Sequence, residues 1–115
     1  MTWPNSKWID IGALDDIPQR GARVVKTLHG CVALFRTHDD QVFALDDRCP
    51  HKGGPLSEGI VHGHSVTCPL HGMVIGLADG LARGLDKGVV GTYPARVQAG
   101  RILLDVARLI HGRAA

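Results

Sequence analysis

Aromatic residues are scarce in this chain of 115 residues: two Trp, two Phe and one Tyr make up 4% of it. Without interleaved aromatic and basic side chains, single-stranded nucleic acid has no stacking platform, and a net charge of +2 from thirteen bases and eleven acids supplies no electrostatic footprint for a duplex. Nowhere do 18 apolar residues run together, so no membrane span is expected. The N-terminal stretch MTWPNSKWIDIG has neither a basic n-region nor an apolar h-region, so the expected location is cytoplasmic. A Gly-rich dinucleotide fingerprint is missing too, and with it a place for a nicotinamide. Segments with sustained helical period are absent, which excludes a bundle. Cysteine is limited to three residues.

What the chain has in excess is glycine, 15 residues, nearly twice ordinary usage, as a turn-rich β protein requires. The length suits one domain, residues 1–115, with one modest core. Residues 8–11 alternate and read as a first strand. Arg23 to Thr27 and Cys31 to Arg36 are apolar or β-branched runs separated by His29 and Gly30, which predicts a hairpin. Val42 to Asp46 forms the strand that leads to Cys49. Ile60 to Val61, Ser65 to Cys68 and Met73 to Leu77 are further short strands, and residues 93–97 and 101–106 read as a closing hairpin around Gly100, with Pro94 marking an edge. Any helix is expected to be a turn or two near Leu14 to Ile17. The fold class is therefore all-β: an antiparallel sandwich or incomplete barrel, two small sheets with a loop lobe at one end. The basic tail, residues 107–115, is expected to fray or to dock on a partner.

The chemistry sits between Cys49 and His71, in CPHKGGPLSEGIVHGHSVTCPLH. The pattern is C-x-H, sixteen residues, C-x-x-H, so each of two loops offers one soft thiolate and one imidazole. A binuclear iron site with two cysteines on one iron and two histidines on the other needs one ligand of each kind from two facing loops. One tetrahedral zinc held by the same Cys2His2 set is the competing reading. Structural zinc sites usually open with two cysteines two to four residues apart, whereas the first pair here is Cys49 and His51 around Pro50. His62 and His64 share the alternation of a strand but flank Gly63, and they read as surface turn residues; so do His29 and His38. Cys31, alone in the apolar run CVALF, reads as a small core residue without function.

CPHKGGPLSEG followed by CPLHG resembles the two cluster-binding loops of Rieske-type [2Fe-2S] ferredoxins, and the resemblance covers most of residues 8–106. It implies a [2Fe-2S] cluster as cofactor, with Cys49 and Cys68 on one iron and His51 and His71 on the outer one, held in loops 49–58 and 68–76. Gly53, Gly54 and Gly72 then allow close backbone approach, and Pro50, Pro55 and Pro69 stiffen the loops. High-potential members of the family carry an extra cysteine in each loop and a serine near the second histidine. Gly54, Leu70 and Met73 stand there, which implies a potential toward the lower part of the range of about −150 to +300 mV. Relatives commonly place an aromatic residue just after the second histidine, where this chain has Met73 and Val74.

Gly84 through Val106, with Asp86, Gly88, Thr92, Tyr93, Pro94 and Arg96 among the matching positions, resembles the small subunit of assimilatory NAD(P)H-dependent nitrite reductase. That resemblance implies a large partner subunit holding FAD, a [4Fe-4S] cluster and sirohaem, which would do the catalysis while this chain carries electrons and is no enzyme by itself. Lys52, beside His51, reads by default as a solvated lysine, with docking to an acidic partner surface as the alternative. A free-standing Rieske ferredoxin serving a ring-hydroxylating dioxygenase, with an oxygenase or reductase as partner, and a non-redox zinc-bound interaction module remain the alternatives.

Overall fold

The computed structural model describes residues 7–27, 30–50, 54–70, 72–84 and 88–107. Among the described residues ten strands form in this order: β1 (Trp8–Ala13), β2 (Ala22–Thr27), β3 (Gly30–Arg36), β4 (Val42–Asp46), β5 (Ile60–His62), β6 (Ser65–Thr67), β7 (Val74–Gly76), β8 (Thr92–Tyr93), β9 (Ala95–Gln98) and β10 (Arg101–Asp105). Two single 3-10 turns, Leu14–Asp16 and Leu56–Glu58, interrupt them. The first lies where the sequence predicts a turn of helix. All strand pairs are antiparallel.

The strands sort into three sheets rather than two: β1-β10-β9, β2-β3-β4-β8 and β5-β6-β7. Pro94 stands between β8 and β9, where the chain leaves one sheet for another, and β9 lies on an edge as its proline suggests. The middle sheet is covered on both faces. Val32, Leu34, Val42, Ala44 and Tyr93 pack with Ile102 and Leu104 of the β1-β10-β9 sheet. Ala33, Phe35 and Leu45 point the other way and pack with Val61, Val66 and Ile75 of the β5-β6-β7 sheet. That double cover explains the continuous apolar run of β3, since alternate residues must all be buried. The third sheet is thus a lobe that shares a core with the middle sheet.

Cys31 departs from its expected place: it is exposed. It pairs in register with Lys26 near the turn end of the β2–β3 hairpin, where the cover on both faces has stopped. Asp105 is the buried charge of this half, and its carboxylate accepts the amide N–H groups of Lys7 (3.0 Å) and Ala107 (2.9 Å). The first of these bonds ties the start of β1 to the end of β10, and both fall on Oδ1 of the buried carboxylate. Ala107 is buried, while the rest of the tail, like His29, lies outside the described residues.

Candidate metal centre

The first loop leaves the end of β4. Asp47 donates its amide N–H to the Cys31 carbonyl (3.1 Å), Arg48 to Asp46 (2.8 Å), and Cys49 to the Gly54 carbonyl (2.7 Å). The chain then returns through the Leu56–Glu58 turn, anchored by the fully buried Leu56. The second loop leaves β6. Cys68 donates to the Met73 carbonyl (2.8 Å), and Gly72 donates back to Cys68 (3.1 Å), before the chain enters β7. Gly72 has φ +68°, a left-handed conformation that glycine adopts without strain. Both cysteines therefore bond the carbonyl five residues ahead. Two short stretches of chain, separated in sequence, are folded on one local plan.

The loops face each other. A Cβ on Gly54 would fall 2.5 Å from Leu70 Cδ1, so the first loop is seated directly on the second. A third segment closes over them: Gly88 lies against Pro50, where a Cβ would come within 2.9 Å of the ring, and the segment is held by the Ala82 amide donating to the Gly88 carbonyl (3.0 Å) and the Val90 amide donating to the Gly80 carbonyl (2.8 Å). Cys49 and Cys68 are each 1% exposed and sit in the same apolar core as Leu56, Met73 and Val90. Two thiols from separate loops, buried together away from water beside a seam with no space for a side chain, fit a soft, thiolate-bound iron group.

His51 and His71, the expected imidazole ligands, lie outside the described residues, as do Lys52, Gly53 and Asp86. Among the described residues no three His, Cys, Asp or Glu side chains gather as a metal-binding group. His62 and His64 are occupied elsewhere on the surface. His62 shares a hydrogen bond with the Thr67 hydroxyl (2.7 Å), and His64 faces the Asp39 carboxylate (3.0 Å). The second contact links the β5–β6 turn of the lobe to the β3–β4 turn of the middle sheet.

Two supports of the first loop are not evident from the motif. The Tyr93 hydroxyl donates to Asp46 Oδ1 (2.6 Å), and Asp46 also donates its amide N–H to Gly91 (2.9 Å). Asp47 receives both the amide N–H (2.7 Å) and the hydroxyl (2.9 Å) of Ser57. The signal present in the sequence is the Asp46-Asp47 pair placed immediately ahead of Cys49. Strand alternation turns one carboxylate toward β8 and the other toward the returning loop.

A family model described as a Rieske-like [2Fe-2S] domain matches residues 7–105. The ferredoxin component of the naphthalene 1,2-dioxygenase/salicylate 5-hydroxylase systems of a Ralstonia species is 32% identical over 101 residues, covering 86% of this chain and 95% of that protein. A solved protein described as an NADH-dependent nitrite reductase small subunit from Mycobacterium tuberculosis is 31% identical, with a TM-score of 0.77, covering 87% of this chain and 95% of that one. A chain in the complex of oxygenase and ferredoxin of carbazole 1,9a-dioxygenase has the same TM-score at 27% identity, over 88% of this chain and 94% of that chain.

Proposed function

The chain belongs to the family of Rieske-like [2Fe-2S] domains, and from that premise we propose that Cys49 and Cys68 hold one iron of its cluster while His51 and His71 hold the other. The protein is a Rieske [2Fe-2S] electron-transfer protein. When bound, such a cluster accepts and returns one electron at a time. The observation that carries the ligand reading is the pair of buried cysteines on facing loops closed by the same amide-to-carbonyl bond.

The chain's own residues do three things in this reading. Burial of Cys49 and Cys68 keeps water from the thiolates. The seam of Gly54 on Leu70 sets how near the loops lie. Met73, Gly54 and Leu70, standing where high-potential relatives carry serine and cysteine, supply no hydroxyl and no disulfide, so the potential lies toward the low end of the Rieske range. Iron and acid-labile sulfide analysis with a visible spectrum tests the ligand set. His71→Ala loses or destabilises the cluster, and His62→Ala leaves the spectrum intact; equal behaviour of the two variants contradicts the assignment.

As to its partner, the reading is that the chain serves as the small subunit of an assimilatory NAD(P)H nitrite reductase, beside a large subunit with FAD, a [4Fe-4S] cluster and sirohaem. The stretch around β8 and β9 supports it, together with the 31% identity to the nitrite reductase small subunit. A second reading, the ferredoxin of a ring-hydroxylating dioxygenase, is favoured by the Ralstonia relative. Co-purification decides between them: a sirohaem flavoprotein retained on tagged protein and reduced by it supports the first, and an oxygenase retained and reduced in its place supports the second.

A further inference from the structure

We infer that Asp47 is a positioning residue for the metal centre, acting through Ser57 to hold the first loop closed. The inference rests on the ligand reading above and extends it to a residue outside the ligand motif.

The two loops are closed in different ways. In the second loop the chain turns from Cys68 to Met73 and re-enters a strand at once, so two backbone bonds and the β6–β7 pairing close it. In the first loop the chain leaves β4 and does not pair again until Ile60. Among the described residues one backbone bond, Cys49 to Gly54, closes the tip. The base would be open without a side chain to bridge it, because β4 and the Leu56–Glu58 turn share no strand pairing.

Asp47 is that bridge. Its carboxylate accepts two hydrogen bonds from one residue ten positions ahead, one to each oxygen, so both the direction and the distance of the returning limb are set. Ser57 is in turn fixed by its neighbours: Leu56 is fully buried, and Glu58 and Gly59 donate to Pro55 (3.2 Å) and Leu56 (2.9 Å). Asp47 itself is held to β3 through its amide bond to Cys31. The clamp therefore transmits the position of the middle sheet to both limbs of the loop, and the segment between them holds Cys49 and His51. Hydrogen bonds to a charged acceptor are the stronger kind, which suits a single side chain bracing eleven residues of chain.

The test uses the holoprotein and four variants: Asp47→Ala, Ser57→Ala, the double variant, and Asp47→Asn. Two readouts are taken: the half-life of the visible spectrum against a chelator, and the g values of the reduced cluster, which a merely structural residue would not move. Asp47→Ala is expected to shorten the half-life about tenfold or more, the scale on which outer partners of metal ligands act, and to shift the g values. Ser57→Ala, which keeps the amide donor, has a smaller effect in the same direction. The double variant is no worse than Asp47→Ala, because the two side chains act as one unit. Asp47→Asn, whose carboxamide both accepts and donates, restores the g values. An Asp47→Ala protein with wild-type g values and half-life overturns the inference, and so does additivity in the double variant. If Asp47→Ala does not accumulate as folded protein, an unchanged half-life in Ser57→Ala overturns it equally. A wild-type chain that binds no iron overturns the ligand reading instead.

Discussion

Gly54 is seated so closely on Leu70 that a methyl group added to it would stand 2.5 Å from Leu70 Cδ1 and 2.9 Å from Cγ. This contact joins the two loops directly, and it makes glycine a requirement of the seam rather than of a turn. Leu70 is 54% exposed and has somewhere to go. Gly54→Ala should therefore cost about 1 kcal/mol, the low end of the overpacking range, and in a Leu70→Ala background the same substitution should cost close to nothing. Urea unfolding of the four proteins measures both numbers, and an equal cost in the two backgrounds contradicts the seam.

Tyr93 should be worth more than its ring. Its hydroxyl bonds a carboxylate at 2.6 Å in a partly buried place, three residues before Cys49. Tyr93→Phe is expected to lose about 1–3 kcal/mol, in keeping with a hydrogen bond to a charged group. A variant as stable as wild type in urea would show that the bond contributes nothing.

The contact between lobe and middle sheet gives a pH signature. The Thr37 hydroxyl, and after it the His64 imidazole, hold the Asp39 carboxyl below the usual carboxylate range. A folded-state pKa below the unfolded one contributes stability that is fully present above the unfolded value near 4 and is lost as pH falls through the folded value. The stability difference between wild type and Asp39→Asn should therefore be largest above about pH 5 and close as pH drops below about 4. A carboxyl titration by NMR that places Asp39 at or above ordinary exposed aspartates would contradict this.

The β9–β10 turn can be improved. Gln98 pairs with Arg101, and the two residues between them, Ala99 and Gly100, both have positive φ, +51° and +75°. That is the geometry in which Asn-Gly is preferred and alanine is strained. Ala99→Asn should raise stability by about 0.5–1 kcal/mol, and Ala99→Val should lower it. Thermal unfolding is sufficient to see both signs.

The all-β class, the strand positions and the two cysteine-bearing loops were legible because each has a local cause. Alternation marks β1, glycine and proline mark the turns, and Cys-Pro-His followed by Cys-Pro-Leu-His marks the loops. Three features were not legible, and each depends on what lies across the fold. The third sheet is distinguishable only once Val66 and Ile75 are seen to pack against Phe35. Cys31 reads as core because Val32 to Phe35 are core, yet cover ends one residue earlier. The Asp47–Ser57 bridge spans ten residues with no pattern between its ends, and only the return of the chain through the Leu56–Glu58 turn brings them together.

This protein carries an electron on a sulfide-bridged pair of irons. An anaerobic reductive titration of freshly purified protein, with metal and sulfide analysis on the same sample, tests it most directly. Two irons and two sulfides per chain are expected, in a coloured protein bleached by one electron, with a potential toward the low end of the range of about −150 to +300 mV. A colourless protein holding one zinc, free of sulfide and taking up no electron, would contradict it.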